Sequence, residues 1–368
     1  MIFALFFSLT LLTAAVMDLF FPTVQSSFHP VLLQGKYINF LWKHRPSGRT
    51  GLLLYGGFIV ISGSVLSFSA AYFIQRFIIY LLTGAAPSSA ASDLLNRAAA
   101  SVSAGSLRVV PISSAASGVF FILITGAALG AAFVLKAAFS FKILMNIALD
   151  ISEALKEGKI IKARKLLSYH LVSRDTSELD ESAVASAVIE SVSENFADSV
   201  AGPFFWFVFA GLGGAWLFRF ADTADSMLGY RDGDREYGGK AAARFDDLMC
   251  FVPARAAGLA ICVAAGGAEK RREAAEVLKK YAKVTPSPNS GFPMSAAAGA
   301  LGVRLEKKGE YVINSSGRTP SAGSTGSGKT EENDIEKTVK LLYRAFFILL
   351  APSLPAAAVI GAIKWLLV

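Results

Sequence analysis

Long runs of apolar residues, separated by short charged segments, recur along the 368-residue chain. Several reach the roughly 20 residues that a helix needs to cross the hydrocarbon core of a bilayer. Only 17% of the residues are charged and mean hydropathy is +0.49, whereas about a quarter are charged in soluble domains. The pattern predicts an all-α, polytopic helical membrane protein forming one domain over residues 1–368. The apolar runs are Ile2–Phe21, Leu52–Leu82, Ser117–Phe141, Gly202–Phe220, Leu248–Gly266 and Leu341–Val368.

The segments between the apolar runs differ in composition. Residues 87–114 are rich in Ala and Ser and are interpreted as an extramembrane insert. Residues 314–333 are richer in Ser, Gly and Thr, which is typical of a flexible linker. Apolar residues recur at helical spacing in Ile151–Ser168 and in Glu269–Lys283. Both stretches are therefore predicted to be amphipathic surface helices.

Charge and cysteine content narrow the function classes. The formal net charge is +8, but the basic residues concentrate in short loops such as Lys43–Arg49, as the positive-inside rule expects of cytoplasmic loops. The sequence has no basic stripe interleaved with aromatic residues, so nucleic-acid binding is not predicted. Cys250 and Cys262 share one apolar segment and are interpreted as small buried hydrophobes. The first apolar run lacks a preceding Lys or Arg, so we expect a retained helix rather than a signal peptide.

Two apolar runs contain helix breakers that affect the predicted topology. If the Lys43–Arg49 loop is cytoplasmic, simple alternation places Ile151–Val200 inside but Ala221–Asp247 outside, although these two stretches hold most of the unusual acids. Gly202–Phe220 contains a proline and the sequence GLGG, and Leu248–Gly266 contains a proline and an arginine. Broken helices can re-enter the membrane where they line a cavity. We predict that this pair does not make two full crossings.

The first candidate site segment, within residues 151–200, carries a stripe of acids. After a helix N-cap signal in Thr176–Asp180, the residues Glu190, Glu194 and Asp198 are spaced i, i+4 and i+8. They are expected on one helix face, where like charges repel, and more strongly beside an apolar segment. A divalent cation, an arginine or protonation would neutralise the stripe. The alternative is the solvated face of an ordinary amphipathic helix.

The second candidate segment, residues 219–312, mixes acids with arginines. Asp222 and Asp225 end one apolar run, and Asp246 and Asp247 precede the next, with arginines between and after them. Carboxylates that hold a hard cation, beside arginines that grip phosphate, are typical of phosphoryl chemistry. The alternative is a charged loop with internal salt bridges. Farther on, three prolines around Asn289 predict a rigid turn before a helix of small residues.

The sequence GSTGSGKT, Gly323–Thr330, fits the phosphate-binding P-loop pattern G-x-x-x-x-G-K-[ST]. A working P-loop follows a hydrophobic strand and opens a helix, so that fixed backbone N–H groups surround the phosphates. The preceding residues, NSSGRTPSA, cannot form that strand. We interpret the match as accidental and expect ATP to bind in the acid- and arginine-rich segments instead.

Four stretches together resemble the adenosylcobinamide-phosphate synthases of cobalamin biosynthesis. They are HPVLLQG at His29–Gly35, the acid stripe at Ser173–Trp206, the mixed segment at Asp222–Leu259 and the proline turn with its helix at Ser287–Val312. Their order and spacing match the family over most of the chain. The chain departs from the family at Glu194–Ser199, where ENFADS stands in place of the usual ENTSDG and keeps the acids. The family's usual Gly-Asp-Pro before the His-Pro pair is also replaced.

The resemblance implies a multi-pass enzyme of the cell membrane with its active site facing the cytoplasm. The implied reaction is an ATP-dependent amide ligation, with Mg²⁺, of adenosylcobyric acid to (R)-1-amino-2-propanol O-2-phosphate or ethanolamine phosphate. The product would be adenosylcobinamide phosphate. The expected partners are the lipid bilayer and these two substrates, with a homo-oligomer left open. A membrane transporter or sensor sharing the helical fold, and a structural membrane protein, are the alternative functions.

Site residues follow from side-chain chemistry at the positions that the resemblance marks. The expected catalytic acids are Glu190, Glu194, Asp198, Asp222 and Asp225. The expected substrate-binding residues are His29, Arg174, Asn195, Arg231, Arg244, Arg255 and Asn289. The expected metal ligands are Glu194, Asp198, Asp225 and Asp246.

Overall fold

The computed structural model describes residues 2–21, 29–85, 115–314 and 330–366. Within these ranges the protein is almost entirely helical, with one two-stranded antiparallel β-hairpin. This confirms the predicted all-α class. The Ala/Ser-rich insert at 87–114 lies outside the described residues, as does most of the predicted linker, including residues 323–329 of the P-loop-like sequence.

The described elements follow one another along the chain in this order. They are α1 (Ile2–Phe20), α2 (Pro30–Trp42), α3 (Arg49–Ala85), α4 (Ala115–Lys136), α5 (Phe141–Lys156), α6 (Ile160–His170), α7 (Glu181–Phe196), a short π-helix (Ala197–Ala201), α8 (Gly202–Leu228), α9 (Arg235–Gly238), α10 (Lys240–Ala264), α11 (Ala268–Tyr281), α12 (Gly291–Leu301), β1 (Leu305–Lys307), β2 (Tyr311–Ile313) and α13 (Glu332–Leu366).

Several helices are long and apolar enough to cross a membrane. Large apolar side chains on α3, such as Leu54, Ile61 and Phe73, are more than two-thirds exposed, as expected of a surface that contacts lipid. A bent pair, Phe121–Lys136 with Phe141–Lys156, could form a further span, with an angle of 44° at the break. The protein is therefore a polytopic membrane protein. In the part of the chain that the structure describes, the five single stretches of this kind are Phe3–Phe20, Arg49–Leu81, Glu181–Leu228, Arg235–Ala264 and Glu332–Ile363.

Helix α8 is a helical hairpin rather than one straight rod. Gly211 has φ 68° and ψ −153°, a conformation that ends one arm and begins the next. A Cβ added to Gly202 would lie 2.0 Å from the Phe218 ring, and one added to Gly214 would lie 2.4 Å from the Trp206 carbonyl oxygen. In a straight helix, residues 202 and 218 would be about 24 Å apart. The two arms therefore pack against each other, and both ends of α8 lie on the same side.

The turn of this hairpin is stabilised by a buried side chain from α3. Oε1 of Gln75 accepts a hydrogen bond from the backbone N–H of Leu212 at 2.7 Å. The break at Gly211 leaves backbone groups without helical partners, and such groups are costly to bury in an apolar environment. Gln75 thus gives one backbone N–H group of the broken helix a hydrogen-bond partner inside the protein.

Contacts at the end of the hairpin settle the conflict over the two acidic stretches. Arg45, in the basic Lys43–Arg49 loop, forms an ion pair of 2.8 Å with Asp234, just after α8. The Arg49 guanidinium also lies over the Tyr237 ring, 5.2 Å from its centre. The basic loop and the segment after α8 therefore lie on one side, as the re-entrant prediction requires.

The second predicted broken helix is continuous. Helix α10 passes through Pro253 without a break. A proline inside a helix leaves the carbonyl four residues earlier without its backbone partner, here that of Met249. The indole Nε1 of Trp206 donates to that oxygen at 3.0 Å. The first arm of α8 therefore supplies the missing hydrogen bond, and this part of the prediction was wrong.

The two predicted amphipathic helices have different outcomes. Glu269–Lys283 is confirmed as the amphipathic helix α11, which buries Ala274 and Val277 against the protein. Ile151–Ser168 is not one helix, because Gly158, with φ 69°, separates α5 from α6. The part before Gly158 packs into the core instead of lying on the surface, with Ile151 fully buried.

Helix α7 lies in the core and carries the acid stripe. Its N-terminus is capped by Asp180, whose Oδ1 accepts from the backbone N–H of Ala183 at 2.8 Å, which confirms the predicted N-cap signal. The small-residue helix α12 packs against α7 and α11. A Cβ at Gly299 would lie 2.7 Å from Ala274 Cα, so only glycine permits this approach of α12 to α11.

Candidate functional site

An acid-rich cavity of about 850 Å³ opens between α7, the second arm of α8, the start of α10, the proline turn and the β-hairpin. Most of the predicted site residues line it, although they come from distant parts of the sequence. Polar residues dominate its wall, as expected for a site that takes charged ligands. The predicted residues in its lining are Glu194, Asn195, Asp198, Asp222, Asp225, Arg231, Asp246 and Asn289.

The helical hairpin brings the two acidic segments together. Arg219, on the second arm, donates from Nη1 to Oδ2 of Asp222 at 2.6 Å and from Nη2 to the backbone oxygen of Asp198 at 2.9 Å. Its Nε donates to the backbone oxygen of Ala138 at 2.7 Å. Arg219 is nearly buried, so a charge there needs these partners. An arginine absent from the predicted list thus pairs with one of the acids.

The stripe itself is bent where it meets the cavity. The chain switches from α7 to a π-helix at Ala197, so Asp198 lies in a locally widened turn. Such π-helical turns occur often at functional sites. The thiol of Cys250 donates to Oδ1 of Asp198 at 3.1 Å. Cys250 and Cys262 are buried and free, as predicted, but Cys250 also contacts a carboxylate that lines the cavity.

The proline turn docks on the start of α10. The amide Nδ2 of Asn289 donates to the backbone oxygen of Asp247 at 2.8 Å, and the Ser287 hydroxyl donates to Oδ1 of the same residue at 3.3 Å. Arg255 donates to Oδ1 of Asn289 at 3.2 Å. Both ends of the Asn289 side chain are therefore engaged within the protein, so it positions the Asp247 segment.

The oxygen ligands suit a magnesium ion, although the structure does not bring them into a compact cluster. Within the described residues, no three Asp, Glu, His or Cys side chains are close enough to bind one ion together. Mg²⁺ commonly uses one or two carboxylates, several waters and substrate phosphates. Oδ1 of Asp246 is buried with no hydrogen-bond partner among the described residues, which leaves a carboxylate oxygen available for a cation. The predicted ligand set, Glu194, Asp198, Asp225 and Asp246, stays a prediction.

Glu190, the first acid of the stripe, does not line the cavity. The Tyr311 hydroxyl donates to its Oε2 at 2.8 Å, and the Ser186 hydroxyl donates to its Oε1 at 2.9 Å. Burial and the Glu190 carboxylate raise the pKa of Tyr311, so the phenol keeps its proton and remains a donor. The β-hairpin covers Glu190, which helical spacing alone could not reveal.

The predicted arginines are placed in different surroundings. Arg231 lines the acid-rich cavity, whereas Arg174 and Arg244 are not among its lining residues. The Arg255 guanidinium lies 3.4 Å from the Phe251 ring centre and 4.2 Å from that of Phe292. With its hydrogen bond to Asn289, this stacking makes Arg255 a support for the proline turn, not a group that lines the cavity.

The sequence reasoning missed the β-hairpin that forms one edge of the cavity. Strands β1 and β2 pair with Leu305 opposite Ile313 and Lys307 opposite Tyr311. Lys307 and Glu310 line the cavity and form an ion pair of 2.8 Å. The available signal was Gly309, which has φ 78° and lies in the turn between two short runs that contain apolar residues.

His29 lies apart from the other predicted site residues. It lines a second cavity, of about 840 Å³, together with Gln34 and Lys136. Burial lowers the pKa of His29 below its usual value, and the charges of Lys136 and Arg219 lower it further. The imidazole is therefore neutral near pH 7. We call this second space the apolar cavity because most of its lining residues are apolar.

The fold and the site define a polytopic helical membrane protein with one acid-rich cavity beside a re-entrant hairpin. A family model described as CobD/Cbib protein matches residues 11–342, and the chain belongs to this family. The chain is 33% identical over 347 residues to a probable cobalamin biosynthesis protein CobD of Methanothrix thermoacetophila, covering 92% of this chain and 93% of that protein.

Two further relatives carry similar names. The cobalamin biosynthesis protein CobD of Dehalococcoides mccartyi is 33% identical over 307 residues, covering 83% of this chain and 86% of that protein. The probable cobalamin biosynthesis protein CobD of Methanothermobacter thermautotrophicus is 44% identical over 180 residues, 49% of this chain and 60% of that protein. No solved structure matches the chain. The family membership gives the protein a role in cobalamin biosynthesis.

Proposed function

We propose that the protein is a ligase that joins adenosylcobyric acid to an aminoalcohol phosphate, at the expense of ATP, to give adenosylcobinamide phosphate. The observation that carries the proposal is the convergence of carboxylates from α7, α8 and α10 on one cavity that also holds Arg231 and Lys307. Carboxylates with cations suit ATP, a divalent cation and a phosphorylated amine together. The cobalamin role of the family supplies the substrate class.

The reaction divides into two balanced steps. A carboxylate oxygen of the corrinoid attacks the γ-phosphorus of ATP and ADP leaves, giving an acyl phosphate. The amine nitrogen then attacks the acyl carbon, inorganic phosphate leaves, and the nitrogen loses its proton. Activation is needed because a carboxylate does not acylate an amine in water. A bound Mg²⁺ would offset the phosphate charge, held by Asp246 with one further cavity carboxylate such as Asp198, by water and by the substrate phosphates.

The protein's own residues perform the remaining tasks. Asp225, which lines the cavity and has no ion pair of its own in the structure described, is placed to take the proton from the incoming ammonium. Arg231 and Lys307 grip phosphate oxygens at the cavity edge. Asn195, held by its amide donating to the Ser191 backbone oxygen at 2.8 Å, orients substrate. Since the basic Lys43–Arg49 loop lies on the cavity side, we place the site on the cytoplasmic face of the cell membrane.

The test is complementation joined to a direct assay. A strain that lacks its own synthase and is fed cobyric acid should regain growth that depends on cobalamin when it expresses this protein. Purified protein with ATP, Mg²⁺, adenosylcobyric acid and either aminoalcohol phosphate should form the amide. Absence of both results, with the protein shown in the membrane, would exclude the ligase and favour the transporter or sensor alternative.

A further inference from the structure

The apolar cavity is a separate space from the acid-rich cavity. The second arm of α8 divides them: Trp216 and Phe220 line the apolar cavity, whereas Asp222 and Asp225 line the acid-rich one. Nothing in the proposed ligase reaction uses the apolar side. A volume of about 840 Å³ is within the range of cavities that bind small organic molecules.

The rim of the apolar cavity is formed by side chains of the apolar outer helices. It includes large apolar side chains that remain exposed, at the end of α1 and on α2, α3 and α4. Helices α1 and α3 are candidate membrane spans. A cavity whose rim is exposed and apolar on such helices opens toward hydrocarbon, where the abundant small molecules are lipids. The exposed rim residues are Phe21, Leu33, Leu66, Ile74 and Phe133.

Inside, the cavity has a polar end. Nε2 of His29 and Oε1 of Gln34 are buried and have no hydrogen-bond partner among the described residues. The amide nitrogen of Gln34 donates to the Ser67 hydroxyl at 3.0 Å, which fixes the side chain with its oxygen unpaired. Buried polar groups normally have partners, and two orphans lining one cavity indicate a ligand that supplies them. Oε1 of Gln34 is an acceptor only, so the ligand must carry a donor.

The charges at this end are balanced. Lys136 lines the cavity and lies 3.8 Å from the carboxylate of Asp18, which is fully buried. Asp18 also accepts from the backbone N–H of Lys142 at 2.9 Å. A balanced pair inside apolar helices does not favour a free ion, but it suits the polar end of an amphipathic molecule that is zwitterionic or carries hydroxyl groups.

We propose that the apolar cavity binds one membrane phospholipid, with an acyl chain against Trp216 and a headgroup donor on Oε1 of Gln34. Phosphatidylethanolamine and phosphatidylglycerol carry such a donor in the ammonium or the hydroxyl group. Phosphatidylcholine does not. The lipid thus holds the second arm of α8 from the side opposite the acid-rich cavity.

Quenching of Trp216 tests the position of the chain. A variant with Trp42→Phe, Trp206→Phe and Trp365→Phe keeps Trp216 as the only tryptophan, since the chain has 4. In phosphatidylethanolamine bilayers with brominated acyl chains, Trp216 fluorescence should fall at least twofold, although this side chain is nearly buried from solvent. Adding Ala70→Phe, at the cavity rim, should restore most of the signal. Ile61→Phe, exposed on the same helix and outside the cavity lining, is the matched control and should not.

Mass spectrometry tests which headgroup the cavity prefers. It uses protein that keeps all its tryptophans, so the result does not depend on folding of the tryptophan variant. Protein transferred from nanodiscs of equal phosphatidylethanolamine and phosphatidylcholine into detergent should retain one phosphatidylethanolamine per chain. Gln34→Leu should abolish the preference, and Ala70→Phe should abolish retention. Failure of wild type to retain lipid, equal retention of both lipids, or displacement of the lipid by excess adenosylcobyric acid would each overturn the proposal. None of these outcomes depends on ligase activity.

Discussion

Arg219 donates from Nη2 to the backbone oxygen of Asp198 across 2.9 Å and thereby joins two segments that are 21 residues apart in the chain. The same guanidinium pairs with Asp222, so one buried cation stabilises the hairpin and its carboxylates at once. The re-entrant fold and the acid-rich cavity therefore depend on the same contact.

Replacing Arg219 should destabilise the protein strongly. Arg219→Gln removes a largely buried cation and leaves the Asp222 carboxylate without its partner, which typically costs about 3–5 kcal/mol. Reversible unfolding in mixed detergent, followed by circular dichroism, measures this loss. Arg235→Gln is the matched control, because its pair with Asp232 is exposed and should contribute at most about 1 kcal/mol. Equal losses in the two variants would contradict the assigned role of Arg219.

The contact between Tyr311 and Glu190 should hold the β-hairpin at the cavity edge. Tyr311→Phe removes one of the two side-chain donors to a buried carboxylate, and such a loss typically costs about 1–3 kcal/mol. The same variant should weaken binding of the phosphorylated substrate, because Lys307 lies on the hairpin. Thermal unfolding and the KM for the aminoalcohol phosphate measure the two effects. Tyr72→Phe, at an exposed ring on α3, should change neither. An unchanged KM in Tyr311→Phe would refute the link to Lys307.

The acids should divide into a reacting group and a positioning group. Asp225→Asn removes a cavity carboxylate proposed as the base and should lower kcat by roughly 10²-fold or more. Glu190→Gln keeps one of the two oxygens that accept from the Tyr311 and Ser186 hydroxyls and places an amide N–H beside the other hydroxyl, whose oxygen can accept from it, so kcat should fall less than tenfold. Both variants should insert in the membrane, which fractionation checks. Near-normal turnover of Asp225→Asn would remove it from the reaction.

Sequence reasoning succeeded where local chemistry determines the structure. The apolar runs predicted the helices, the cap at Asp180 fixed the start of α7, and glycine with proline marked the hairpin. It failed at Gly158, where one glycine divides a continuous amphipathic pattern. It also predicted a break at Pro253, because the hydrogen bond from Trp206 to the Met249 oxygen depends on a contact between distant segments.

The candidate site shows the same limit. Residues on α7, α8 and α10 were correctly grouped by their chemistry, since buried acids near apolar segments are unusual wherever they occur. The positions of Glu190 and His29 could not be derived from the sequence. Glu190 is covered by the β-hairpin, and His29 is separated from the acids by the second arm of α8. Arg219 was overlooked, although it begins the second acidic segment, because its role arises only when α8 folds back.

The P-loop-like sequence should not contribute to catalysis. Its last residue, Thr330, donates from its hydroxyl to the backbone oxygen of Arg304 at 2.6 Å, so that hydroxyl is already engaged. Lys329→Ala should therefore retain at least half of the wild-type kcat, and its KM for ATP should stay within about twofold of the wild-type value, both measured in the amide-forming assay. Lys307→Ala is the comparison, and its KM for the phosphorylated substrate should rise severalfold. A large loss in Lys329→Ala would show that ATP uses this segment after all.

Cysteine labelling should show that the acidic segment after α8 lies on the side of the basic loop. Asp232→Cys places a thiol on an exposed side chain, and Ser47→Cys places one in the Lys43–Arg49 loop that contacts Asp234. Because α8 reverses at Gly211, we expect both thiols to react with a membrane-impermeant maleimide only after the cytoplasmic face is opened. The two native cysteines are buried and should give little background. If Asp232→Cys reacted in intact cells while Ser47→Cys did not, α8 would have to cross the membrane completely. The acid-rich cavity would then be divided between its two faces.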